Sequence, residues 1–453
     1  MKQSVAALLA VLLLLGTLPF AAYANFNGQE DATKGLASDI YYMISLDDET
    51  ELFSKNETKQ TAPAAFIKLL GAMVAIEKWE NLDEKVDITT ESLSLVQYGY
   101  GVRTVNLRDD ESYTRRQLID ALIVYSANDA ASVIAYYVAG TADAFVQAMN
   151  ELAQKIGMND THAVNITGFD ADGQYTTAKD VATLIRYATK QPIFAQAFSA
   201  MSVTMPETYH NNERTYSADN KMRVAAVSDY YHGSVNAGKM TSTTNAGECI
   251  AVTTQQDGYA YICVVMKGKM ADVDHDGVNE NTALTDAKKL IAWSYNNIRY
   301  RVIATENQTA QIVKVTAARD GDTLRLVPEK KTSALVPSKA STGSVLIEPI
   351  ADTMPAKLIA PIKKGTVICQ AKIIYADQEI TTINLVAAND VRLSLFRLFM
   401  TNLRRVLSST PFILLELALL LVLALYLVLM IVRYKKAKKP NLRRVEGGRS
   451  QRR

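Results

Sequence analysis

The chain has 453 residues, a formal net charge of +2 and three cysteines. Lys and Arg (49) nearly balance Asp and Glu (47), and the basic excess gathers at the C-terminal end, so the charge gives no support to nucleic-acid binding. Cys249, Cys263 and Cys369 are too few for a disulfide framework.

Taken in chain order, Lys2, an apolar run from Val5 to Phe20 and the ending Ala22-Tyr23-Ala24 form a secretory pattern with an A-x-A site. A signal peptide over 1–24 is expected; an uncleaved anchor is the competing reading, and the run is short for one. From Asp39 to about Asn297, strand-like runs (Ile40–Ser45, Tyr259–Met266) mix with helical ones (Phe66–Glu77, Ala142–Ile156), which predicts one sizeable mixed domain over 25–298. Cys249 and Cys263 lie on two strand-like runs joined by a turn at Gln256-Asp257-Gly258; they read as buried free thiols, a facing pair being the alternative.

Three short segments carry chemistry. Thr61 to Glu77 reads TAPAAFIKLLGAMVAIE, where Pro63 suits a first helical turn, Leu69, Met73 and Val74 supply an apolar face, and Lys68 falls one turn beyond Ala65. Alone, Lys68 could be a surface lysine. Tyr125-Ser126-Ala127-Asn128-Asp129-Ala130 leads into a helix and alone could be a helix cap. Gly238-Lys239-Met240-Thr241 precedes the strand Cys249–Thr254. A fourth segment, Asp272-Val273-Asp274-His275-Asp276-Gly277-Val278-Asn279, repeats the first half of a calcium loop, but position twelve is Ala283; an acidic turn is the preferred reading and no metal is assigned. His162 and His275 read as structural.

After Arg299 the chain becomes β-rich: Arg301–Ala304, Gln311–Thr316, Thr323–Val327, Ser344–Ile347, Thr366–Tyr375 and Thr381–Val386 predict a small all-β domain over 299–388. Val391 to Leu407 sets Val391, Leu395, Leu398, Phe399, Leu403 and Val406 at helical spacing among Arg392, Arg397, Arg404 and Arg405. This predicts a basic amphipathic juxtamembrane helix within 389–410, lying on the bilayer surface or against the protein body. Pro411 to Val432, broken only by Glu416, is long enough to cross a hydrocarbon core of about 30 Å; Glu416 reads as a snorkelling residue near one end. The tail 433–453 carries Arg433, Lys435, Lys436, Lys438, Lys439, Arg443 and Arg444, so the positive-inside rule places it in the cytoplasm and the folded domains outside a single-pass membrane.

The three segments, in this order, resemble the S-x-x-K, S-x-N and K-T-G motifs of the serine D-alanyl-D-alanine carboxypeptidases, low-molecular-mass penicillin-binding proteins of peptidase family S11. Further likenesses are Ala144-Phe145-Val146-Gln147-Ala148-Met149-Asn150, Gly157-Met158-Asn159-Asp160-Thr161-His162, Thr176-Thr177-Ala178 and Ala246-Gly247-Glu248-Cys249, with Ala360 to Gly365 and Leu385 to Ala388 in the β domain. The resemblance spans about residues 37 to 390 and implies an α+β fold: a β-lactamase/transpeptidase-like domain, a small all-β domain and a C-terminal transmembrane helix. It implies that Lys68, Ser126 and Asn128 hold catalytic positions, that Lys239, Met240 and Thr241 hold substrate-binding ones, and that no cofactor is used.

Two departures stand out. The nucleophile position is Ala65, which has no hydroxyl to attack a carbonyl, although its backbone N–H remains for an oxyanion site. In the third motif the family threonine becomes Met240 and the glycine becomes Thr241. The expected function is therefore that of a catalytically impaired, peptidoglycan-related protein of the cell envelope, binding stem peptide, a β-lactam or a protein partner in its groove. The alternatives are an active D-Ala-D-Ala carboxypeptidase with an unrecognised nucleophile, and a protein whose β domain is the working surface. Whether the chain is an enzyme is left open by sequence.

Overall fold

The computed structural model describes residues 29–96, 102–225, 228–338, 345–375 and 378–437. The leader 1–24 and the tail residues Lys438, Lys439, Arg443 and Arg444 lie outside them. The described residues divide into two compact units: one runs to Ile303 and takes in those of 332–346 and 373–381, and the other comprises 304–331, 347–372 and those from Thr382 onward.

The first unit is built on an antiparallel sheet of strands β1 (Ile40–Ser45), β2 (Glu51–Lys55), β3 (Val235–Thr243), β4 (Gly247–Gln256) and β5 (Tyr259–Gly268), in the order β2-β1-β5-β4-β3. Strand alternation sends Ile40, Tyr42, Ile262 and Val264 into one core and Tyr41, Met43, Cys263 and Val265 into another on the opposite face. Both faces are covered, which is why β5 is an almost unbroken apolar run. The first core holds the helices α1 (Phe66–Lys78), α2 (Asn128–Ala139), α3 (Ala142–Ile156) and α4 (Ala178–Ala188); α5 (Thr282–Asn297) covers the second.

Helix α1 is buried from Phe66 through Ala75, on all sides rather than along one apolar face. Gly71 lets it approach α3: a Cβ there would stand 3.2 Å from Phe145 Cε1. Several residues that resemble family landmarks act structurally. Thr177 caps α4 by accepting from Asp180 N, Gly157 ends α3 in the left-handed region at φ 90°, and Asn150 bonds the backbone of Ala163 in both directions.

The cysteines are free and buried. Cys263 lies opposite Val252 while Cys249 lies opposite Thr241, so the two do not face each other across the strands. Burial pushes both thiols up to about 12.

Beyond the first sheet, β6 (Ile298–Ala304) pairs with β9 (Thr332–Pro337), and β7 (Gln311–Thr316), β8 (Thr323–Pro328), β10 (Val345–Pro349), β11 (Leu358–Ile359), β12 (Val367–Tyr375) and β13 (Gln378–Ala387) form a sheet in the order β10-β12-β13-β8-β7-β11. Sequence reading missed β9, which ends in Pro337, and the two-residue β11. It also began the amphipathic helix too early. Helix α6 is Leu395–Leu407, because Val391 is buried in a β-bridge to Ile362 and Ser394 caps the helix by accepting from Arg397 N. In this unit Arg397 Nη1 donates to Ala318 O at 3.0 Å, while Leu395, Phe396 and Phe399 stay exposed. Among the described residues one helix, α7 (Thr410–Ala437), is long and apolar enough to cross a membrane.

Candidate active site

The site begins at the entry to α1. Pro63 lies in the turn before the helix rather than in its first turn, and Ala64 adopts a positive φ of 48°. The chain then tightens into bonds from Phe66 N to Pro63 O (3.2 Å) and from Lys68 N to Ala65 O (3.2 Å). This turn is pressed from outside by Gly168, where a Cβ would come within 2.1 Å of Ala64 O. Only glycine fits, both for space and for its φ of 80°. Ala65 caps the helix without a side-chain bond, and Lys68 follows one turn later, buried rather than on the surface.

The second wall comes from a π-helical turn, Ala121–Tyr125, that ends at Ser126 in the left-handed region (φ 65°, ψ 33°). This irregular backbone frees carbonyls that would point along a regular helix. Lys239 Nζ donates to Ile123 O at 2.6 Å, and Lys68 Nζ donates to Ser126 O at 2.9 Å. The Ser126–Asn128 stretch is not an ordinary side-chain cap: α2 starts without one, and Asn128 Nδ2 donates instead to Arg103 O at 3.1 Å. Next to it, the Asp129 carboxylate accepts from Val105 N (3.1 Å) and Leu107 N (3.0 Å), which pins the loop carrying Arg103. Asn128 Oδ1 is buried and has no hydrogen-bond partner among the described residues.

The third wall is strand β3. Lys239 is buried, and Thr241, two residues on, turns to the same side; Thr241 Oγ1 accepts from the backbone N–H of Ala65 at 3.0 Å. Met240 is half-buried and packs against the second core while also bordering the groove. The N–H that sequence reading left available for an oxyanion is therefore already engaged.

Together these walls enclose a groove of about 170 Å³ that brings together Ala65, Lys68, Ser126, Asn128, Lys239, Met240 and Thr241. All seven residues singled out from the sequence converge. Sequence reading missed Arg103, whose guanidinium pairs with Asp219 at 2.8 Å and lies over the Tyr125 ring at 5.5 Å from its centroid. It also missed Gly168, Phe169 and Thr243 at the mouth, where Thr243 Oγ1 donates to Asp170 at 2.6 Å. Nothing in the spelling of the Gly101-to-Leu107 segment marks Arg103; it belongs to the site only because Asn128 and Asp129 fold its loop inward.

Two buried lysines and an arginine crowd the groove, and each disfavours charge on its neighbours. Burial first, then the charge of Arg103, pushes the Lys68 ammonium down to about 7 against an opposing pull from Asp129. Lys239 is held well below the ordinary lysine range, by burial first and then by Lys68 and Arg103. A lysine so shifted is partly neutral near pH 7, and the side chain one turn upstream, Ala65, is a methyl group with no proton to give.

Other candidates lie elsewhere. His162 pairs through its backbone with Tyr175, and His275 sits in the exposed acidic turn at φ 64°. There the Asp272, Asp274 and Asp276 carboxylates lie within 4.8 Å of one another, but they accept from the backbone N–H groups of Asp276, Gly277 and Val278. Ala283, at the twelfth loop position, is buried in α5 and offers no ligand.

The family profile described as D-alanyl-D-alanine carboxypeptidase, peptidase S11, matches residues 28–270, and that of the penicillin-binding protein 5 C-terminal domain matches residues 301–392. The D-alanyl-D-alanine carboxypeptidase DacF of Bacillus subtilis is 22% identical over 369 residues, covering 81% of this chain and 88% of that protein. DacB2 of Mycobacterium tuberculosis is 31% identical over 169 residues, covering 37% of this chain and 55% of that protein. The crystal structure of the D-alanyl-D-alanine carboxypeptidase DacD from Francisella tularensis gives a TM-score of 0.62 at 21% identity, covering 79% of this chain and 94% of that one. Penicillin binding protein 5 from Haemophilus influenzae gives 0.60 at 19% identity, covering 79% and 98%. At such identities the likeness speaks for the fold, a transpeptidase-like domain followed by an all-β domain. With the first profile spanning more than half its length, the chain belongs to the D-alanyl-D-alanine carboxypeptidase family, peptidase S11.

Proposed function

We propose that this chain is a non-acylating member of its family, whose groove holds the D-alanyl-D-alanine end of a peptidoglycan stem peptide, or a β-lactam, without forming an acyl-enzyme. The observation that carries this reading is Ala65: it stands at the start of α1, one turn before the buried amine of Lys68, and presents only a methyl group to the groove. Removing the serine from another serine hydrolase lowers turnover about 10⁶-fold. Recognition has a better case. Asn128 Oδ1 is a buried acceptor awaiting a donor, which a ligand amide N–H would satisfy, and the Arg103 guanidinium supplies positive charge for a terminal carboxylate, with Lys239 beside it as an N–H donor.

A second reading keeps the chain active through Ser126, because its left-handed backbone sets it on the groove wall and its carbonyl meets the Lys68 amine. Incubation of the purified chain with a peptide ending in D-Ala-D-Ala separates the two. The expected result is saturable calorimetric binding with no D-alanine released; release above the buffer rate supports Ser126, and absence of binding removes the groove from the account.

The same proposal places the folded domains, 25–298 and 299–388, outside the cell membrane, after cleavage of 1–24, with 411–432 as a single span, 389–410 at the outer surface and the basic tail 433–453 in the cytoplasm. Protease added to intact cells should digest the domains and spare an epitope placed after Arg453.

A further inference from the structure

The Ala65 N–H is the only polar group that the nucleophile position offers to the groove, and its hydrogen is committed to Thr241 Oγ1 at 3.0 Å. In acyl transfer such a helix-start N–H receives the carbonyl oxygen as negative charge develops on it. Thr241 reaches it because strand alternation sets residues 239 and 241 on one side of β3, toward α1. A β-branched side chain in a strand is stiff at χ1, so the hydroxyl does not readily swing clear. On the other side of the same groove, the Asn128 Oδ1 acceptor is left open.

We propose that Thr241 is a second block, independent of the missing hydroxyl at Ala65: it takes the place of the substrate carbonyl oxygen at the Ala65 N–H. The groove then reads a ligand through its amide N–H at Asn128 without polarising its carbonyl. This inference rests on the non-acylating reading and deepens it, since the serine alone would restore only part of the reactivity.

The test compares full-length chains carrying Ala65→Ser, Ala65→Ser with Thr241→Gly, and Ala65→Ser with Thr241→Ala, each incubated with penicillin and followed by intact mass. In the step assayed, the introduced hydroxyl oxygen bonds to the lactam carbonyl carbon, the ring C–N bond breaks and the hydroxyl proton passes to the ring nitrogen. The product therefore gains the whole mass of the penicillin. Either double variant is expected to acylate about 10²-fold faster than the single one, the effect of recovering one oxyanion donor. Thr241→Ala keeps a side chain on the strand and covers the case in which glycine disturbs it. Equal rates in single and double variants, including equal failure, overturn the proposal. Acylation of the unaltered chain would instead overturn the functional reading, so the two failures are distinct.

Discussion

Lys68 Nζ lies 2.9 Å from the backbone carbonyl oxygen of Ser126, joining the first helix to the π-turn beneath the groove. Ala65, one turn before Lys68, has no hydroxyl to offer the amine, and the amine is buried. An ammonium whose folded pKa is about 7, against an ordinary lysine value of 10.5, binds fewer protons in the folded state throughout that window. The sign follows: its contribution to stability is fully present above the unfolded value and is lost as pH falls through the folded one. Stability should rise between pH 7 and pH 10 by up to about 1.4 kcal/mol per pH unit for one such group, and Lys68→Met should lower that slope. Urea unfolding across this range checks it; an unchanged slope in the variant would contradict the burial assigned to Lys68.

Asn128 tests recognition. Replacing it by alanine removes the open acceptor but leaves the Asn128 N to Arg103 O backbone bond in place. Binding of a peptide ending in D-Ala-D-Ala should weaken about 3- to 10-fold, the worth of one hydrogen bond. An unchanged Kd would show that the ligand amide is held elsewhere.

Gly168 tests the turn that presents Ala65. A methyl group there collides with the Ala64 carbonyl and also meets an unfavourable φ of 80°. Gly168→Ala should cost on the order of 3 kcal/mol in denaturant unfolding. A loss below about 1 kcal/mol would mean that the turn yields easily.

Much of this architecture was legible in the sequence because the signals are local. The apolar run of β5, the Thr141-to-Gly157 frame of α3 and the order of the three motifs each follow from spacing and end signals. What was not legible depends on distant contacts. Lys68 and a surface lysine are spelled alike, and only packing against the π-turn buries it. Arg103 enters the groove because Asn128 and Asp129 hold its loop, and Thr241 meets Ala65 across 176 residues of chain. The start of α6 was misplaced because Val391 fits a helical pattern yet pairs as a strand.

The thiols give a further check on the first sheet. With Cys249 and Cys263 buried and pushed up to about 12, neither should react with a thiol reagent at pH 8 until the chain is unfolded. Labelling of either in the folded chain would contradict the two-sided burial of β4 and β5.

Whether the groove acylates is decided by intact-mass measurement of the unaltered full-length chain after incubation with excess penicillin. The mass should stay unchanged, because Ala65 offers no hydroxyl and its N–H is held by Thr241. A gain of one penicillin mass would contradict it and make Ser126 the first residue to map.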